Sequence, residues 1–124
     1  MKIRISGNSI RFRLKQTEVK QFGEEGEIKE ELSFGMLPAD KLSFMLKAGN
    51  TSSFAISWES NQIMLQVPAA LQAEWTNTDL VGFEKDIATG QGQLIRILVE
   101  KDFKCLDGSG VENEDTYSNP NQVC

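Results

Sequence analysis

The chain contains no histidine. That removes the side chain most often used as a general base near neutral pH. Cysteine is nearly as scarce, with two in 124 residues. Both, Cys105 and Cys124, come late. Two thiols are too few for a disulfide framework and fall short of the four ligands a structural zinc takes, so they read as unlinked thiols. Long apolar runs are missing as well. The longest, Leu94 to Val99, is broken by Arg96 and is far shorter than the roughly 20 residues of a spanning helix. The opening Met1-Lys2-Ile3-Arg4-Ile5 alternates instead of forming an apolar signal core. These absences predict a cytoplasmic protein with no membrane segment. No Gly-rich phosphate loop, nucleophile elbow or paired-carboxylate motif occurs either. No catalytic residue, cofactor or metal site is therefore assigned, and a non-enzymatic protein is expected.

What the chain does contain is an echo of itself. Displaced by 53 residues, Ile3 falls on Ile56, Asn8 on Asn61, Ile10 on Ile63, Phe12 on Leu65, Leu14 on Val67 and Phe22 on Trp75. Leu42, Phe44 and Leu46 fall on Ile95, Ile97 and Val99. Positions of buried type coincide with positions of buried type, as a shared structural unit demands. The chain reads as two copies of a strand-strand-helix-strand-strand unit, about 1–50 and 54–103. Copies that short are marginal alone, so they are expected to share one core in a single domain, 1–104.

The local signals fill in the unit. Ile3 and Ile5, then Ile10, Phe12 and Leu14, alternate on one face of two strands at 2–6 and 9–14, with Gly7-Asn8 as a two-residue hairpin turn. Thr17 is placed to cap a short helix carrying Val19 and Phe22, and Gly23 to end it. Strands follow at about 27–34 and 41–47. The second copy repeats the plan: Phe54, Ile56 and Trp58 alternate, Ser60-Asn61 turn, and Ile63, Leu65 and Val67 alternate. Pro68 suits a first helical position, and Leu71 and Trp75 share a helical face. Val81 and Phe83 open the next strand, and Gly90-Gln91-Gly92 lead into a strand at 93–101. Residues 105–124 read as an acidic, irregular tail. Calcium binding from Asp107 fails the EF-hand pattern, since Glu112 stands where glycine is required. The expectation is an α+β, mostly β fold closed into a small barrel with two short helices.

The run Asn61-Gln62-Ile63-Met64-Leu65-Gln66-Val67-Pro68-Ala69-Ala70-Leu71 resembles the strand-proline-helix signature of AbrB/MraZ-type swapped-hairpin barrels. In the first copy Lys15 stands where Pro68 stands in the second. That resemblance implies interleaved hairpins and a DNA-binding role. Over nearly its whole length the chain also resembles a group of small bacterial proteins of unknown function. Trp75-Thr76-Asn77-Thr78-Asp79, Val99 to Leu106 and the Asn-Pro-containing tail carry this second likeness, which implies no activity.

The formal net charge of −5 hides an asymmetry. Residues 1–22 carry Lys2, Arg4, Arg11, Arg13, Lys15 and Lys20 against Glu18 alone. Residues 23–34 carry five glutamates against Lys29. A Gly7-Asn8 turn sets Arg4 opposite Arg11 and Lys2 opposite Arg13, so four cations share the outer face of one ribbon. Like charges directly opposite are destabilising unless neutralised. A phosphate backbone or an acidic partner would neutralise them. So would Glu27 and Glu31, if their strand lay alongside. The second copy has Ala55, Ser57, Met64 and Gln66 at the matching positions, without charge. Met45 and Leu98, with Leu94, face away from the core stripes and are candidates for a protein partner or self-association. The functional expectation is a non-enzymatic binding module with an unidentified partner. The alternative is an AbrB-like DNA-binding regulator using Lys2, Arg4, Arg11 and Arg13, disfavoured by the net negative charge.

Overall fold

The alternating segments form eight strands in the computed structural model, which describes residues 1–103, Asp115 and Tyr117. The expectations for Cys105, Cys124 and most of the acidic tail lie outside the described residues. The strands are β1 (Lys2–Ser6), β2 (Ser9–Leu14), β3 (Glu27–Ser33), β4 (Lys41–Gly49), β5 (Ala55–Glu59), β6 (Gln62–Pro68), β7 (Gly82–Gly90) and β8 (Gln93–Lys101). Helix α1 (Gln16–Glu25) follows β2, and α2 (Ala69–Asn77) follows β6. No helix among the described residues is long and apolar enough to cross a membrane. The chain divides into two compact units, one of Met1–Lys20 with the chain from Val81 onward, the other of Gln21–Leu80.

The first unit holds a four-stranded sheet in the order β1-β2-β8-β7. Its two hairpins, β1–β2 and β7–β8, are antiparallel, and parallel pairing of β2 with β8 joins them. The side chains at alternate positions of β2 and β8 make the buried face: Phe12, Leu14, Ile97 and Val99 are 0% exposed. Burying each contributes about 1.5–3 kcal/mol over leaving it in water. Val19, on α1, is buried too.

α1 starts at Gln16, ahead of the expected cap at Thr17. Thr17 is inside the helix, and its hydroxyl donates to the Asp115 carboxylate. Asp115 itself does the capping. Its carbonyl accepts the Gln16 N–H at 3.0 Å and its carboxylate the Thr17 N–H at 3.3 Å. A negative group there also meets the positive end of the helix dipole. Glu18 reaches back to accept the Lys15 N–H at 2.8 Å, one half of a capping box. Tyr117 is held by contacts of its own. Its N–H donates to the Asp102 carbonyl at 2.8 Å, and its ring lies 5.8 Å from that of Phe103.

The second unit holds the sheet β3-β4-β6-β5, again two antiparallel hairpins joined in parallel, here β4 with β6. Leu46, Leu65 and Val67 are 0% exposed, as are Phe22 and Trp75 from the two helices, which meet edge to face at 6.3 Å. Gly23 does not end α1. It lies within the helix, where a Cβ would come 3.0 Å from the Thr76 hydroxyl oxygen, and its missing side chain admits α2. The helix ends at Glu25, and Gly26 just beyond it has a φ of +76° that turns the chain back and an N–H that closes onto the Phe22 carbonyl. Gln72 ties the helices further, donating from its side chain to that same carbonyl at 2.8 Å.

The expected closed barrel is not found among the described residues. Each sheet takes one hairpin from each half of the chain, and β1, β7, β3 and β5 pair on one side only, so neither sheet closes on itself. The pairing registers recur between the sheets. Ile10 faces Ile97 in the first, and Ile63 faces Phe44 in the second, each residue displaced by 53 from its counterpart. Ile3–Phe12 and Ile56–Leu65 repeat the offset. At β7 it becomes 55, because Phe83 faces Val99 where Ile28 faces Leu46. Two extra residues thus stand between α2 and β7.

A basic sheet face as candidate functional site

The hairpin register is the one the Gly7-Asn8 turn predicts: Lys2 faces Arg13, Arg4 faces Arg11 and Ser6 faces Ser9. Of the turn residues only Gly7 has positive φ, at +57°, whereas Ser60 and Asn61 in the matching turn both do. All four cations emerge on the sheet face opposite Phe12 and Leu14. Parallel pairing with β8 then sets Arg96 beside Ser9, Leu98 beside Arg11 and Glu100 beside Arg13.

That pairing supplies the neutralising carboxylates. Glu100 lies 3.3 Å from the Nε of Arg11 and 3.1 Å from the Nε of Arg13. Asp102, whose side chain is 4% exposed, lies 3.2 Å from the Lys2 ammonium and 3.6 Å from Arg13. Arg13 Nε and one Asp102 oxygen nevertheless lack an aligned hydrogen bond, so the contacts are of charge proximity more than of directed bonding. Arg96 donates to Asp86 at 3.0 Å. This hydrogen bond, with the charges of Asp86 and Glu84, raises the guanidinium's affinity for its proton.

Glu27 and Glu31 do not take part, contrary to the sequence expectation, because β3 belongs to the other sheet. Glu31 pairs instead with Lys29 at 2.9 Å and Lys41 at 3.5 Å. A hydrogen bond from Lys29, then the two ammonium charges, hold its carboxyl below the ordinary value.

One cation is left over. Arg4 is exposed and has no ion pair among the described residues. It borders a cavity of about 290 Å³ lined also by Ser6, Ser9, Arg11, Glu84, Arg96 and Leu98. The Ser9 hydroxyl donates to the Ser6 carbonyl at 2.6 Å, and Leu98 makes an apolar floor. The face carries five cations (Lys2, Arg4, Arg11, Arg13, Arg96) against four carboxylates (Glu84, Asp86, Glu100, Asp102). The excess of one sits at the Arg4–Arg11 pair.

Sequence reasoning found the four hairpin cations and missed Glu84, Arg96, Glu100 and Asp102. Glu84, Arg96 and Glu100 alternate in β7 and β8 and Asp102 follows just beyond, but only the β2–β8 pairing brings them to the cations. Leu98 joins this face, Leu94 is 52% exposed, and Met45 lies against Met64 on the other sheet.

The chain belongs to DUF7009, a family of unknown function whose model matches residues 1–121. No curated protein and no solved structure matches it.

Proposed function

We propose that this protein is a non-enzymatic binding module that takes a single anionic group, a carboxylate or phosphate of its partner, at Arg4 and Arg11. The observation that carries the reading is the uncompensated Arg4, set directly opposite a second arginine at the mouth of a cavity. Such a cross-strand pair costs about 0.2–1 kcal/mol, which a bound anion would return. The Ser6 hydroxyl, which lines the same cavity, offers a hydrogen bond to the same group.

An AbrB-like DNA-binding role for Lys2, Arg4, Arg11 and Arg13 is the second reading. It needs several cations free to neutralise phosphates. Three of the four have carboxylates within 3.6 Å, which favours one anionic group over a polyanion. The non-enzymatic and cytoplasmic parts of the proposal rest on the sequence alone.

The proposal extends to the architecture, a duplicated strand-strand-helix-strand-strand unit with interleaved hairpins forming one domain. It is supported by the recurring register and by the meeting of counterpart positions, Phe22 with Trp75 and Gly23 with Thr76.

Amide chemical shifts followed during titration with inorganic phosphate, acetate and a mixed-sequence DNA duplex test the site. Phosphate or acetate should move Arg4, Ser6, Ser9 and Arg11, and Arg4→Ala should abolish the response. Binding to DNA should show a log–log salt slope near −1 to −2, the value for roughly one or two phosphates. A slope steeper than about −3 would favour the regulator instead. Unmoved resonances at Arg4 with either small anion would remove the site.

A further inference from the structure

Independently of the anion site, we infer that the chain self-associates through β5, pairing antiparallel with β5 of a second copy about a twofold axis at Ser57. Among the described residues four strands lie at sheet edges, and unpaired edges template strand addition unless they are blocked. Charge blocks three of them. β1 has Arg4 at its centre, β3 carries Glu27, Lys29, Glu30 and Glu31, and β7 carries Glu84, Lys85 and Asp86 in succession. β5, Ala-Ile-Ser-Trp-Glu, has its single charge at the last position, and its Trp58 is 78% exposed.

The backbone phase fits. The Ser60-Asn61 turn is a two-residue loop with both φ positive, +50° and +62°, and Glu59 faces Gln62 across it. In such a hairpin the flanking pair exchanges both hydrogen bonds and the pattern then alternates. Glu59, Ser57 and Ala55 therefore spend their backbone groups on β6, while Ile56 and Trp58 direct theirs outward. Two copies of β5 related at Ser57 set Ile56 of each against Trp58 of the other, the residues with outward groups, forming about four backbone hydrogen bonds. The same arrangement stacks an aromatic on a β-branched side chain twice and sets Ala55 against Glu59, with no like charges opposed.

β1 is the internal control. Its register matches that of β5 at an offset of 53, and Ile5, the counterpart of Trp58, is 61% exposed. The same twofold pairing there would set Arg4 against Arg4. The edge that lacks this charge is the one open to a second copy. Strand-only contacts are small, so the dimer is weak and concentration-dependent.

Sedimentation of the full chain from about 10 μM to about 1 mM, the range expected of a small interface, reads the equilibrium directly. Ser57→Lys and Ser57→Glu each place like charges on the axis and should weaken association by roughly fivefold, the effect of one unfavourable cross-strand pair. An equimolar mixture of the two should associate at least as well as the wild type, since lysine then faces glutamate. Circular dichroism checks that both variants keep the fold, as expected for an exposed position. A wild type that stays monomeric throughout, variants that associate like the wild type, or a mixture that fails to recover would each overturn the inference. So would a monomer whose β5 amides respond only to an added extended peptide, which would assign the edge to another chain.

Discussion

On the outer face of the first sheet the central row reads Arg4, Arg11, Leu98, Glu84, and the matching row of the second reads Ser57, Met64, Met45, Lys29. Next to it, Lys2, Arg13, Glu100 and Gly82 match Ala55, Gln66, Lys47 and Glu27. The buried rows beneath differ far less: Ile3, Phe12, Val99 and Phe83 against Ile56, Leu65, Leu46 and Ile28. The same pairing scheme is thus filled alike on the inside and quite differently on the outside. Strand order and register follow the buried face, while the outer side chains are free to carry chemistry that one sheet has and the other lacks.

The comparison breaks most sharply at the buried face of each sheet. Phe12→Ala and Leu65→Ala empty matching, fully buried positions, and should cost about 3–5 and about 2–5 kcal/mol respectively. If the two units form one domain, both variants shift a single calorimetric transition. Two transitions, with each variant moving only one, would separate the units.

A smaller effect should distinguish the outer faces. Asp102→Ala removes the buried partner of Lys2 and Arg13 and should cost about 1–2 kcal/mol, reduced because both cations can rehydrate. Hydrogen exchange should quicken in β1, β2 and β8 before it does in β4 and β6. Equal loss of protection in both sheets would deny the charge network its local role.

The smallest effect concerns pH. Burial, and then the charge of Asp115, raise the Tyr117 phenol above its ordinary 10.0. A raised folded value means the contribution is fully present below pH 10.0 and fades as pH rises through the folded value. The second sheet has no such group, because Tyr117 is the only tyrosine. Its ultraviolet titration should therefore run later in the folded protein than in urea. Coincident curves would mean that the tail contact does not form.

Much of this was legible in the sequence, and for identifiable reasons. Alternation located all eight strands, since period-two burial is a local property. A two-residue turn fixes register, so the facing of Arg4 with Arg11 could be read before any coordinates. Sheet membership could not. Whether β2 lies beside β3 or β8 depends on contacts between residues far apart in the chain, and the supposed partners Glu27 and Glu31 gave way to Glu100 and Asp102 for that reason. Gly23 misled because a glycine within a helix for close approach has the same letter as one that stops it. Asp115 as the cap of α1 lay beyond any local pattern.

The two parallel pairings also differ in the order in which they can arise. β4 and β6 are joined across 19 residues, Phe44 to Ile63, and β2 and β8 across 87, Ile10 to Ile97. Closing the longer loop costs about 1.3 kcal/mol more in chain entropy. On a ribosome the contrast is one of time: every strand of the second sheet has been synthesised by Pro68, whereas the β1–β2 hairpin, made first, waits for β8, which is made last. Until then its opposed arginines have neither Glu100 nor Asp102 beside them, and the most basic part of the nascent chain is also the part longest without its partners.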